Sequence, residues 1–394
     1  MSDTMLTPTT LRAACAKILP GRKALKLALI FWLPAMLLIT GVAYILLSAD
    51  VNLRQNKLHT QEAGEIRFAE QMLTHDFDSA ISDLQLLLQT PALQHYAHTR
   101  SPTEKQRLTE QFWNMAQAKQ HYDQIRYLDL HGMEKIRINL IRNQAVIAPE
   151  SELQNKADRY FFVETLKLSA GEIYVSPLDL NTEHGKIELP YKPAIRFGMP
   201  VFDRTGNKQG IVLLNFRGQL LLDGFIKAMS EKQHAMLLNH EGYWLSNPKP
   251  DLEWSHLLGG NETFRKYYPE AWKTISTQQR GSLLMPEGLY TFTTVHPLIL
   301  KPHEHWQDNQ RIAHTHDDYF WKIVSFIPAD ELPAITFSQY PRSFALLAAG
   351  LILLAFLSLY IALTLHNRRQ LRATIFENEA RLKEITSTLG EGIF

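Results

Sequence analysis

The sequence predicts an α+β protein in which two antiparallel-sheet modules sit on a long N-terminal helix, flanked by two transmembrane helices and a cytoplasmic coiled-coil helix. Three observations carry this. Two almost wholly apolar runs, 25–47 and 344–365, each have the length that crosses a hydrocarbon core of about 30 Å. After the first run, 50–89 has no proline and a single glycine, Gly64. Turns with Asp or Asn first and Gly fourth then recur between β-type runs: Asp129-Leu130-His131-Gly132, Asp203-Arg204-Thr205-Gly206 and Asn239-His240-Glu241-Gly242.

Composition narrows the function classes. At 394 residues and a formal charge of +1, the chain has room for two or three domains and no global charge that favours a polyanion, so no nucleic-acid partner is expected. The single cysteine, Cys15, forms no internal disulfide and leaves no thiol pair for structural zinc. No Gly-x-Ser-x-Gly elbow, His-Glu-x-x-His motif or phosphate-binding glycine loop is present. Catalysis within the chain and a cofactor are therefore not expected.

The elements follow in order. Residues 1–24 read as a cytoplasmic tail and 25–47 as the first span; a cleaved signal peptide is the competing reading, but its apolar part would be too long. Arg12, Lys17, Arg22, Lys23 and Lys26 lie at the start of this span, and Arg368, Arg369 and Arg372 follow the second at 344–365. The positive-inside rule puts both ends in the cytoplasm and about 49–342 outside, in the periplasm of a bacterium, as a multi-pass inner-membrane protein.

Residues 48–120 read as long periplasmic helices. Ile66, Ala69, Leu73, Phe77, Ala80, Ile81, Leu84 and Leu88 recur at helical spacing, and Pro91 closes the run. Ser101-Pro102-Thr103-Glu104 announces a second helix through Leu108, Phe112, Met115 and Ala116. Their apolar faces suit a stalk or a dimer interface. Strands are then expected around 124–129 and 134–139, at 172–176, 194–202 and 210–216, and in a second set at 235–239, 242–246, 281–285, 289–295 and 319–327, with a helix near 263–276.

The stretch 159–216 mixes polar and aromatic residues on predicted sheet elements: Arg159, Asp179, Arg196 and Asn215 beside Phe161, Phe162 and Tyr174. Converging polar groups among aromatics suit a small-molecule pocket. The competing readings are that Arg159 caps or pairs at a helix end, that Arg196 and Asp179 form a structural ion pair, and that the aromatics are core. A second constellation, His303, His305, His314 and His316 with Glu304 and Asp317, has weak metal-ligand spacing, and a solvated loop is its competing reading.

The order of span, long helix, tandem sheets and second span, with Tyr122-Asp123-Gln124-Ile125-Arg126-Tyr127-Leu128-Asp129 and Ser176-Pro177-Leu178-Asp179-Leu180-Asn181, resembles the double-Cache receptors. The resemblance covers about 50–342 and implies two PAS-like modules, membrane-distal at 121–230 and membrane-proximal at 231–330. It also implies an extracytoplasmic sensor that feeds a diguanylate cyclase, or alternatively a histidine kinase. Amino-acid-sensing relatives hold ligand through an Arg-x-Trp-Tyr run, a later Tyr and Asp, and an Asp on the strand after the final turn. Here Arg159-Tyr160-Phe161-Phe162 takes the first place, Asp179 follows Tyr174 and Pro177, and Asn215 stands where the last Asp would fall. An amide supplies no charge for an ammonium, whereas Arg159 can still fork onto a carboxylate, so the expected ligand is a small carboxylate or other polar metabolite instead of a free α-amino acid. The implied site is Arg159, Phe161, Phe162, Tyr174, Asp179, Arg196 and Asn215. A periplasmic metal-binding protein or enzyme and an adhesive surface protein are the readings from other classes.

Residues 366–389 carry an apolar repeat, Leu371, Ile375, Asn378, Leu382, Ile385 and Leu389, whose alternating steps of four and three predict a coiled coil and hence a homodimer. The segment 390–394 resembles the start of a cytoplasmic PAS domain.

Overall fold

The computed structural model describes residues 22–183, 185–229, 235–296, 312–313 and 319–390. The chain divides into two compact units, 57–332 and the combination of 1–56 with 333–394. Each is taken by itself.

The first helix, α1 (Arg22–Leu88), enters the 57–332 unit with the predicted stripe. Ile66, Ala69, Leu73, Phe77, Ala80, Ile81 and Leu84 are all buried in one core. A short helix, α2 (Pro91–Thr99), starts at Pro91, which the sequence reading took only as a stop. Arg100 turns left-handed (φ 55°), and the Ser101 side chain then accepts the Glu104 amide at 3.2 Å to cap α3 (Pro102–Lys119). Leu108, Phe112 and Ala116 of α3 enter the same core as the α1 stripe. These apolar faces therefore cover the chain's own sheets, where a free stalk or dimer surface was expected.

The first sheet contains β1 (Tyr122–Leu128), β2 (Glu134–Ile141), β3 (Gln144–Ile147), β4 (Ile173–Val175), β5 (Asp179–Leu180), β8 (Pro193–Phe202) and β9 (Lys208–Arg217). Its path runs β4-β8-β9-β1-β2-β3, with β5 beside β8 and the backbone of β14 (Ile312–Ala313) parallel to β4 at the edge. The small hairpin β6 (Thr182–Glu183) and β7 (Lys186–Ile187) stands apart. Alternation sends Ile125, Tyr127, Ile136, Ile138, Ile195, Phe197, Val212 and Leu214 into the helix-covered core. The opposite face receives α4 (Tyr160–Lys167), through buried Phe161, Phe162 and Thr165. Val163, on the outer side of this helix, is exposed.

Helix α5 (Gly218–Ala228) leads to a five-stranded sheet of order β11-β10-β15-β13-β12: β10 (Ala235–Asn239), β11 (Trp244–Ser246), β12 (Arg280–Met285), β13 (Gly288–Val295) and β15 (Trp321–Pro328). The single helix expected near 263–276 is split at Pro269 into α6 (Phe264–Tyr267) and α7 (Pro269–Ile275), because proline lacks the N–H that would continue the ladder. One face of this sheet meets α1. Phe77 lies edge-on to Phe197 of the first sheet and to Trp321 of the second, both with centroids 5.5 Å away.

In the other unit, α8 (Pro341–Gly390) is continuous from the second apolar run through the predicted seam. It runs to Gly390, the first residue of the segment read as the start of a PAS domain, and 391–394 lie outside the described residues. Both terminal helices are long and apolar enough to cross a membrane, and they fit a membrane protein. Leu37, Leu38, Leu346, Leu353 and Phe356 are exposed along them. Beyond the apolar runs, the Asp50 carboxylate accepts the Tyr340 hydroxyl at 2.7 Å and Arg54 Nε at 2.9 Å.

Candidate functional site

The α4-covered face of the first sheet is polar across four strands. Register pairs Arg196 with Asn215, Asn215 with Gln124, and Gln124 with Asn139, a row that runs from β8 to β2. Gly198 lets α4 approach this face, since a Cβ there would lie 2.5 Å from the Thr165 hydroxyl.

The Phe161 ring is the centre of the cluster. The guanidinium carbons of Arg126, Arg196 and Arg159 lie 5.3, 5.3 and 5.7 Å from its centroid. Arg159, at the N-cap position of α4, makes no cap and instead donates to Thr182 Oγ1 at 2.7 Å. Arg196 donates to Asp179 at 2.6 Å, to the Tyr160 hydroxyl at 3.1 Å and to Asn181 at 3.2 Å, while Tyr160 donates to Asp179 at 2.5 Å. Arg196 and Asp179 are thus an ion pair, one of the two readings the sequence allowed. Burial, with Arg196 opposing, raises the Tyr160 hydroxyl above its ordinary value, so it stays a donor.

One strand further on, Arg126 donates to Asn215 Oδ1 at 2.6 Å and to Glu134 at 3.3 Å. Arg137 donates to the other Glu134 oxygen at 3.0 Å, and the Gln154 amide joins it at 3.0 Å. Arg126 is 3% exposed, Arg137 6% and Glu134 0%. Two buried guanidiniums therefore share one buried carboxylate. Arg137 Nε and Asn139 Oδ1 are buried without a hydrogen-bond partner. Arg137 also reaches Glu152 at 3.5 Å, but that carboxylate is mostly exposed. Such an arrangement is costly in isolation, because desolvated charge without full pairing is unfavourable.

Arg137, Asn139, Gln124, Gln154, Asn181 and Lys192 are among the residues that line a cavity of about 490 Å³ beside this cluster. Asp123 also lines it, its carboxyl raised by burial against the pull of Arg217. Of the seven residues expected from the sequence, Arg159, Phe161, Asp179 and Arg196 come together around Tyr160. Asn215 faces Arg126, and Phe162 packs with Leu213 in the apolar patch beneath α4. Tyr174 and Asp179 border a different cavity, between the two sheets.

Arg126, Glu134, Arg137, Gln124, Asn139 and Tyr160 were not singled out from the sequence. The available signal was the alternation of β1 and β2, where Arg126, Arg137 and Asn139 interleave with Tyr127, Ile136 and Ile138. That pattern reads as a strand with one wet face, and here the polar face is covered. Among the described residues there is no group of three or more His, Cys, Asp or Glu placed to hold a metal. His303, His305, His314 and His316 lie outside the described residues.

Two solved structures share the fold. The extracellular domain of vpHK1S-Z8, assigned as a histidine kinase, superposes with TM-score 0.59 and 19% identity over 72% of this chain and 95% of its own. A domain of a protein assigned to the sensory box/GGDEF family, from Vibrio parahaemolyticus, gives TM-score 0.59 and 20% identity over 72% and 98%. No curated protein matches the chain. These neighbours are Cache-type extracellular sensor domains, in agreement with the double-Cache resemblance, and no catalytic family is recognised in the chain. Residues 56–304 match the family described as bacterial histidine kinase, sensor domain, and the chain belongs to that family as the extracellular, ligand-sensing part of a histidine kinase or GGDEF-type receptor.

Proposed function

We propose that about 49–342 form the periplasmic part of a bacterial inner-membrane receptor, and that the polar face beneath α4 binds a small carboxylate. The observation that supports it most is Arg137, which lines a cavity with its Nε buried and without a hydrogen-bond partner. A ligand carboxylate would take the free Arg137 Nε–H and displace exposed Glu152. Asn139, Gln124 and Asn181 would fix its other polar groups. In this reading Arg196, Asp179 and Asn215 hold the lining amides in place, Phe161 and Phe162 set the position of α4, and Arg159 closes the side toward Thr182. The distal module is 121–230 and the proximal one 231–330.

Titration calorimetry of the full chain in detergent with a library of small carboxylates tests this. A bound carboxylate should lose about 10- to 100-fold in affinity in Arg137→Ala, the worth of one charge-assisted hydrogen bond. Arg159→Ala should weaken it as well. If both variants bind the same carboxylate as tightly as wild type, the assignment fails.

The output we assign is a diguanylate cyclase, reached through the second span and a dimeric coiled coil at 366–389. A histidine kinase is the second reading, and the family to which the sensor belongs favours it. Cyclic-di-GMP that rises in cells expressing the complete receptor supports the first; phosphate on a receptor histidine supports the second.

A further inference from the structure

A cavity of about 690 Å³ lies between the two sheets, apart from the one described above. The first sheet and its helix contribute Tyr160, Glu164, Tyr174 and Asp179, and the second contributes Glu241 from the β10–β11 turn, with His256 and Tyr319. Among the described residues, no lysine or arginine lines it. Its charge is therefore opposite in character to that of the arginine cluster. Asp179 is matched by Arg196 at 2.6 Å and Glu164 by Lys167 at 2.8 Å, whereas Glu241, which interacts electrostatically with the His256 imidazole, forms no ion pair with a lysine or arginine among the described residues. Burial lowers the His256 imidazole, so at neutral pH it adds no positive charge.

A second observation is independent of the charges. Tyr174 is 1% exposed, forms part of the cavity wall, and its hydroxyl is buried with no hydrogen-bond partner. A buried hydroxyl left unpaired is unfavourable, a cost that a ligand able to reach it removes. Tyr319 is fixed as part of the opposite wall, since its hydroxyl oxygen accepts the Leu178 amide at 3.0 Å and Trp321 Nε1 at 2.7 Å. Rigid aromatic walls, an unpaired carboxylate and an unpaired hydroxyl are what an alkylammonium group is recognised by: two acceptors for its N–H groups and ring faces for its charge.

We propose that this inter-sheet cavity is a second ligand site, selective for a small organic cation bearing a primary amine, which Glu241 and Tyr174 hold from opposite sheets. It is separate from the carboxylate site and does not depend on it.

Calorimetry on the full chain in detergent, with butylamine and 1,4-diaminobutane as probes and butyrate as the anionic control, tests it. Wild type should bind at least one amine, and Glu241→Gln and Tyr174→Phe should each raise its Kd at least tenfold. Saturating butyrate should leave amine affinity unchanged. Glu241 is an exposed turn residue, so Glu241→Gln should unfold thermally like wild type, and Tyr174→Phe keeps the ring and loses an unpaired hydroxyl, so it should unfold at the wild-type temperature or above; if Tyr174→Phe fails to fold, Glu241→Gln alone decides. No amine binding at millimolar concentration, wild-type affinity in both variants, or displacement of the amine by butyrate each overturns the proposal. Butyrate affinity in the same proteins reports on the carboxylate site separately.

Discussion

Buried charge in this protein comes in two forms with different consequences. Around Glu134 the charges are paired, incompletely, and the incompleteness lies at a cavity. Lys322 on β15 is the other form: it is 2% exposed, and its ammonium donates only to the Gln278 carbonyl at 2.8 Å and Thr294 Oγ1 at 2.5 Å. With no carboxylate partner among the described residues, burial draws its pKa down to about 8. A lowered folded-state pKa means that between about pH 8 and the free lysine value near 10.4 the unfolded chain binds more protons than the folded one. Stability should therefore rise with pH across about 8 to 9.5, by at most about 1.4 kcal/mol per pH unit, before tyrosine ionisation opposes it. Urea titration of the full chain followed by tryptophan fluorescence checks this: Lys322→Met should be more stable at pH 7 and lose the upward slope. A slope that persists in the variant assigns it to other groups. None of this was legible in the sequence, because Lys322 sits in a strand whose neighbours are apolar on both sides and no local pattern says where its ammonium goes. Arg159 and Arg196 stood out only because aromatics flank them, whereas Arg126 and Arg137 looked like the solvent face of amphipathic strands.

At the scale of elements, periodicity carried most of the fold. The α1 stripe, the Ser101 cap, the three Asx-Gly turns and the long strands β8 and β9 all lie where local physics puts them. Gly132, Gly206 and Gly242 have φ of 75°, 86° and 88°, the left-handed conformation that the fourth turn position demands. What periodicity left out was the partner of each apolar face. A helix stripe looks the same whether it covers a sheet or a second copy, and only the topology shows that α1 serves both sheets. Phe77 is where this matters most, since its ring touches Phe197 on one side and Trp321 on the other. Phe77→Ala should cost about 3–5 kcal/mol, because it removes a buried aromatic and leaves a void bounded by two large rings. Thermal unfolding by circular dichroism measures the loss. A drop under 1 kcal/mol would mean that the core collapses around the gap and that the two sheets are not joined through this ring.

For the molecule as a whole, the remaining question is whether one chain suffices. In the 57–332 unit the apolar stripes of α1 and α3 are spent on the chain's own core, so they leave no unburied stripe to pair with a second copy. In α8 the opposite holds: Leu371, Ile375 and Leu382 are exposed along a helix that none of the described residues of its own unit covers there. An apolar seam with steps of four and three on a solvated helix is unfavourable unless a second helix buries it, and each large side chain so buried contributes about 1.5–3 kcal/mol. Asn378, within the seam, would select a parallel in-register pair at some cost in stability. The partner that fits is the same helix of another copy. Single cysteines at Ile375 and at Ile385, in a Cys15→Ser background, should form disulfide-linked dimers under mild oxidation in membranes, and a cysteine at Glu379, off the seam, should do so far less. If neither seam position cross-links, α8 works as a single helix and the ligand signal must leave the sensor by another route.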